Sequence, residues 1–149
     1  RIDEIMWESR SLTQKLNAAY KVIIDTQFMP DNEELLQIKG DEKLVLTALK
    51  NLIENGCKFS TNKQAYVSLQ IVDESIEITI KNEGKGIPEA DIPYIFQPFF
   101  RAENTAASKG YGIGLSLVER IVSLHLGSIS VQSEQNGWTE FTVKFPIAS

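Results

Sequence analysis

A chain of 149 residues, 42% hydrophobic and 23% charged, is sized for one domain with an ordinary core, which argues against disorder. A net charge of −5 argues against nucleic-acid binding by bulk electrostatics. The single cysteine, Cys57, rules out an internal disulfide and any multi-cysteine metal site.

There is no signal peptide and no apolar run of about 18 residues or more. The chain opens on Arg1 rather than methionine, so the expectation is a piece of a longer protein, and the missing span describes the piece only. Residues 2–17 read as an amphipathic helix through Ile2, Ile5, Met6, Leu12 and Leu16. "AYKVIIDTQF" reads as a strand, and "DNEELLQIKGD" as a turn with a short strand. Asp41 is a good N-cap for a second helix running to about Cys57.

"YVSLQIV" alternates Val67, Leu69 and Ile71 with polar residues, and "SIEITIK" does the same with Ile76, Ile78 and Ile80. Asp73-Glu74 between them reads as a hairpin turn. A loop-rich stretch with Pro88, Pro93 and Pro98 follows, then an apolar helix over 113–126. "SISVQSE" and "WTEFTVKF" flank Asn136-Gly137, a favoured hairpin turn. Helices and antiparallel strands mix without a βαβ rhythm. The expected fold is therefore α+β, a two-layer sandwich whose mixed, mostly antiparallel sheet is covered by helices on one face.

Three stretches carry possible chemistry. In "NLIENGCKFS", Asn51 and Asn55 are four apart and share a helix face, with Lys58 a turn further on. Asn is a poor helix former, so two on one face suit either amide oxygens for a metal and an ammonium for phosphate, or merely a satisfied polar face. "NEGKGIP" is either a turn or a place where backbone meets a ligand. "GYGIGLSLV" opens a helix on alternate glycines, where unpaired N–H groups favour anions, although no P-loop or Rossmann pattern is present. Between the last two, "IFQPFFRAENTAASKG" reads as an aromatic-anchored lid or as an ordinary surface loop.

In this order, the stretches resemble the ATP-binding catalytic domain of sensor histidine kinases, a fold shared with type II topoisomerases and mismatch-repair ATPases. "NLIENGCKFS" is similar to the family's asparagine box and "NEGKGIP" to its first glycine box. "IFQPFFRA" is similar to its phenylalanine box and "GYGIGLSLV" to its second glycine box. The resemblance covers residues 2–146 and treats 1–149 as one catalytic domain. It implies ATP and Mg²⁺ as cofactors. Asn55 would hold the metal, Asn51 would support that site, and Lys58 would approach phosphate, these three forming the catalytic set. Phe59 would pack beside the nucleotide, and Asn82 stands where an aspartate usually binds the adenine amino group. Gly84 and Gly86, with Ile87, would admit the adenine. Phe96 and Phe99 would anchor the lid, while Arg101 and Lys109 meet phosphate. Gly110, Tyr111, Gly112, Ile113, Gly114 and Leu115 would wrap the triphosphate.

Related ATPases that hydrolyse ATP carry a glutamate where Asn51 stands. An amide cannot take a proton at neutral pH, which suits transfer of the γ-phosphoryl group to an imidazole without hydrolysis. The implied partners are a dimerisation and phosphoacceptor helical domain of the same protein and a response-regulator receiver domain, with no nucleic acid. The parent protein would be homodimeric and membrane-anchored, with this portion in the cytoplasm.

Two residues depart from the pattern. Asn82 would exchange a charge-assisted hydrogen bond for a neutral one, a loss of about 1 kcal/mol or about fivefold in affinity. Gly56 stands where Ala is usual and is read as marking the helix end. The only histidine, His125, lacks the acceptor's acidic neighbour and downstream Thr-Pro, so it reads as structural and the acceptor is expected upstream. Two other readings remain open: a degenerate nucleotide-binding or protein-interaction module, and an anti-sigma-type serine kinase of the same fold.

Overall fold

The structure is a computed structural model that describes residues 1–97 and 111–148, with the side chains of 111–113 set aside. Helix α1 spans Ile2–Leu16 and buries Ile2, Ile5, Met6, Ser9 and Thr13, a helical stripe. Strand β1 (Lys21–Asp25) follows. The next segment departs from expectation. Glu33–Leu36 form a short 3₁₀ turn instead of a strand, because the Asn32 side chain accepts the Glu34 N–H and caps it.

Helix α2 (Glu42–Lys58) starts where expected, with the Asp41 carboxylate accepting Lys43 N–H at 2.9 Å and Leu44 N–H at 3.1 Å. It runs through Gly56, so that glycine does not mark the helix end. It is instead where α2 rests on the sheet: a Cβ there would lie 3.1 Å from Ala65 Cβ and 3.5 Å from Ile80 Cγ2.

Strands β2 (Gln64–Val72) and β3 (Ser75–Glu83) form the expected hairpin, with Asp73 at φ 55° in its turn. Helix α3 (Tyr111–Leu124) precedes the hairpin of β4 (Ser128–Glu134) and β5 (Trp138–Pro146), whose turn places Asn136 at φ 63°. The five strands order as β1-β2-β3-β5-β4; β1 runs parallel to β2 and the other pairs are antiparallel. The sheet's core face presents Val67, Leu69, Ile76, Ile78, Ile80, Phe141, Val143 and Phe145 to the helices, all buried. At roughly 25 cal/mol per Å² of apolar surface, this layer is the main source of stability.

Helix α3 lies two residues earlier than the sequence suggests. Its C-terminus closes as a Schellman motif: Gly127 N–H reaches Val122 O at 2.9 Å, and Leu126 N–H reaches Ser123 O at 3.0 Å. Leu126 takes the left-handed position (φ 61°) that glycine normally fills, and it is 84% exposed. Gly127 cannot be exchanged with it, since a Cβ there would run into the Lys144 carbonyl. Beside this end, the buried His125 ring bridges two helices. Its Nδ1 meets Ile121 O at 2.7 Å and its Nε2 meets Asp41 N–H at 3.0 Å. Nδ1 therefore carries the hydrogen and Nε2 accepts. A Cβ on Gly40 would run into this ring. With both nitrogens engaged, His125 is structural, in line with the sequence reading.

Candidate functional site

Asn51, Glu54, Asn55 and Lys58 fall at i, i+3, i+4 and i+7 of α2 and make one continuous polar face. That face lines a cleft of about 390 Å³, closed by Leu16, Asn17 and Tyr20 from the end of α1 and by Gly114 from the first turn of α3. The asparagine-rich helix and the glycine-rich helix start, 56 residues apart or more in sequence, thus meet at one place. Gly114 leaves that side open among the described residues, since a Cβ there would meet none of their atoms within 4 Å. Tyr111, Gly112 and Ile113 belong to this first turn, and Phe99, Arg101, Lys109 and Gly110 lie outside the described residues. The N–H groups of a helix start favour anions, so phosphate suits this wall.

Asn55 is the buried member, 8% exposed, and its amide nitrogen has no hydrogen-bond partner among the described residues. An orphaned amide in a helix interior costs about 1–3 kcal/mol, so it needs a purpose or a ligand. Glu54 was not singled out in the sequence, although its spacing from Asn51 would have found it. Lys50 holds its carboxylate at 3.1 Å. Lys58 is exposed and lies 5.5 Å above the ring of Phe59, the half-buried C-cap of α2. On the opposite side of α2, Cys57 is fully buried and burial pushes its thiol up to about 11. No group of three or more His, Cys, Asp or Glu gathers among the described residues. A cation held here would take most of its ligands from phosphate and water, as Mg²⁺ does, and the oxygen-bearing amide of Asn55 fits that role.

The "NEGKGIP" segment lies at the end of β3, and its glycines are needed first by the protein itself. A Cβ on Gly84 would lie 2.5 Å from the Phe59 carbonyl oxygen. Gly86, at φ 71°, packs so closely on the Glu134 carbonyl that any Cβ would collide with it. The segment is docked to the β4–β5 hairpin by Gly84 N–H to Gly137 O (3.1 Å), Asn136 N–H to Lys85 O (2.6 Å) and Ile87 N–H to Ser133 Oγ (2.8 Å). Ile87 and Leu115 are core residues, 2% and 0% exposed, so their side chains support the site from beneath. Phe96 packs edge-on against Phe141, with centroids 6.3 Å apart.

Asn82 continues the buried stripe of Ile76, Ile78 and Ile80 on β3, and its partner across β5 is Thr139. Both are buried, at 5% and 2% exposure. Thr139 was also missed in the sequence; the polar ending of the apolar stripe on β5 was the available signal. Ser133 Oγ donates to Trp138 O at 2.8 Å, so its 3.0 Å contact with Thr139 Oγ1 must use the threonine's hydrogen.

Residues 40–149 match the family described as histidine kinase-, DNA gyrase B-, and HSP90-like ATPase. The chain is 36% identical over 115 residues to the signal transduction histidine-protein kinase ArlS of Staphylococcus epidermidis, covering 75% of this chain and 25% of that one. It is 32% identical over 126 residues to the sensor histidine kinase CusS of Escherichia coli, covering 83% and 25%. It thus spans about a quarter of the curated relatives it matches. Among solved structures, the mycobacterial sensor histidine kinase MprB superposes with a TM-score of 0.83 at 23% identity, over 97% of this chain and 95% of that one.

Proposed function

Since this chain belongs to the histidine kinase-, DNA gyrase B-, and HSP90-like ATPase family, we propose that it binds Mg·ATP and hands the γ-phosphoryl group to a histidine on a helical phosphoacceptor domain, for relay to a response-regulator receiver domain. One observation carries this reading above the others. The cleft gathers Asn51, Asn55 and Lys58 beside the start of α3, with the buried Asn55 amide nitrogen left without a partner among the described residues.

In this reading Asn55, with Asn51 one turn before it, holds the Mg²⁺ side of the triphosphate. The ion, when bound, neutralises phosphate charge. Lys58 supplies a mobile ammonium for an outer phosphate oxygen. The N–H groups at the start of α3 receive phosphate, together with Gly110, Gly112, Arg101 and Lys109. Asn51 puts an amide where a general base would otherwise stand, so water is not activated and the phosphoryl group is kept for the imidazole. Rate enhancement then comes from alignment and charge neutralisation. Asn82, Gly84 and Gly86 form the base end of the pocket. A membrane-anchored, homodimeric parent with this portion in the cytoplasm accords with the reading. Among the described residues no helix is long and apolar enough to cross a membrane.

Calorimetric titration with a non-hydrolysable ATP analogue, with and without Mg²⁺, tests the site. Mg²⁺-assisted binding that disappears in Asn55→Ala is the expected result. No binding at millimolar analogue would overturn the reading. Labelling of an added histidine-bearing helical hairpin with radioactive ATP then tests the transfer, and an acid-stable serine product would redirect it.

A further inference from the structure

A carboxylate is out of place in a cleft suited to phosphate, yet Glu54 lines it, on α2 between Asn51 and Lys58. Among the described residues that line the cleft, Glu54 and Lys58 are the charged ones. They stand four apart with the glutamate on the N-terminal side, the order that pairs best on a helix. Paired, they would cancel each other and leave an approaching anion a neutral wall.

The structure shows the other arrangement. Glu54 turns back along α2 to Lys50, whose Nζ lies 3.1 Å from its Oε1. Lysine before glutamate is the less favourable order for such a pair. The contact is an ion pair without hydrogen-bond geometry, for Oε1 is buried and has no hydrogen-bond partner among the described residues. The two side chains are 30% and 27% exposed, so the pair is only partly in water. Lys58 instead lies over the Phe59 ring, its Nζ 5.5 Å from the centroid, and makes no ion pair among the described residues. Lys50 does not itself line the cleft, so it reaches the cleft through Glu54.

We propose that Lys50 is a positioning residue of this cleft: by holding the Glu54 carboxylate back along α2, it keeps that charge off Lys58 and leaves the ammonium to meet a phosphate oxygen. Without Lys50, the carboxylate turns to Lys58 in the favoured order and the positive charge of the wall is lost. The inference rests on the nucleotide-binding reading above and extends it to a residue behind the cleft wall.

The test is calorimetric titration of the folded chain with a non-hydrolysable ATP analogue in the presence of Mg²⁺, repeated for Lys50→Gln, Lys50→Arg, Glu54→Gln and the double variant Lys50→Gln/Glu54→Gln. Lys50→Gln should bind about threefold to fivefold more weakly, the scale of one partly exposed ion pair. Lys50→Arg keeps the charge and should stay within about twofold of the unmutated chain. The double variant should recover to within about twofold as well, because the carboxylate that Lys50 restrains is gone. The defect of Lys50→Gln should also fade at about 1 M salt, where the screening length falls to about 3 Å. Unweakened binding in Lys50→Gln would overturn the inference, and so would a loss of the same size with and without the Glu54 carboxylate. Glu54→Gln alone should bind as tightly as the unmutated chain or more tightly. Weaker Mg²⁺-assisted binding in that variant would mean that the carboxylate serves the cation, which overturns the inference and leaves the nucleotide reading standing. That arm does not touch Lys50, so misfolding of Lys50→Gln does not shelter the proposal. If the unmutated chain bound no analogue at millimolar concentration, the nucleotide reading and the inference would fall together.

Discussion

Replacing Asn55 with Ala should remove Mg²⁺-assisted nucleotide binding and yet make the domain more stable. In the interior of α2, Ala is favoured over Asn by about 0.6 kcal/mol. The Asn55 amide nitrogen is buried without a partner among the described residues, and removing such a group relieves about 1–3 kcal/mol. Against this stands the lost packing of the amide, about 1 kcal/mol for the space it vacates, reduced because Asn55 borders the open cleft and water can enter. The balance is a gain of about 1 kcal/mol, which raises Tm by roughly 2–4 °C for a chain of this size. Thermal unfolding followed by circular dichroism, paired with titration of the same samples, reads both halves. A loss of about 1 kcal/mol or more would show the amide to be structural, since that outcome requires a partner the cleft does not provide. Stabilisation with Mg²⁺-dependent binding intact would remove Asn55 from the metal site.

Leu126→Gly should stabilise the domain by about 1 kcal/mol, since an 84% exposed leucine gives up little packing while leaving the left-handed region relieves strain; urea unfolding checks this, and a loss of stability would mean that the leucine is covered in solution. The Arg1 guanidinium bonds the Asp3 carboxylate at 2.9 and 2.6 Å and holds its pKa below the ordinary carboxyl value. Because the folded pKa is depressed, this contribution is present above about pH 4 and is lost as pH falls through the lowered value. Asp3→Asn should therefore cost about 1 kcal/mol at pH 7 and converge with the unmutated chain in acid; an equal gap at both pH values would contradict the pairing. Cys57, with its thiol pushed up to about 11 and no exposed surface, should resist a thiol reagent at pH 8 until the chain is unfolded. Rapid labelling of the native protein would show that the end of α2 lifts from the sheet.

Much of this architecture could be read from period and punctuation. The alternation in 66–81 and 128–145, the Asp41 cap and the Asn136-Gly137 turn are local signals, and each appears in the structure. Residues 31–41 misled because an apolar pair among polar residues suits a strand edge as well as a 3₁₀ turn, and the Asn32 cap decides between them. The polar stripe of α2 was legible from spacing alone, except that Glu54 was not singled out. What spacing could not reveal is where separate elements touch. Leu16, Asn17 and Tyr20 reach the cleft only because α1 packs on α2, and Gly56 faces the sheet only because of the angle at which α2 crosses it. The glycines of "NEGKGIP" could be read from the residues alone as a turn or as a ligand loop, and nothing in the sequence announced the Phe59 and Glu134 carbonyls pressed against them.

The imidazole of His125 has a mechanical consequence. It fastens the C-terminal end of α3 to the N-terminal end of α2, through a hydrogen bond between residues 84 apart in sequence. The cleft-lining parts of both helices lie at their other ends, at Gly114 and Asn55. From 125 back to 114 is eleven residues, roughly 16 Å of helix. A swing of about 5° around the fastened end therefore displaces Gly114 by roughly 1.4 Å, enough to widen or tighten a hydrogen-bonding distance. The glycine at position 40 and the imidazole at position 125 act as the rivet of a pair of tweezers. Substitutions at that rivet can adjust the span between the jaws from a full helix length away.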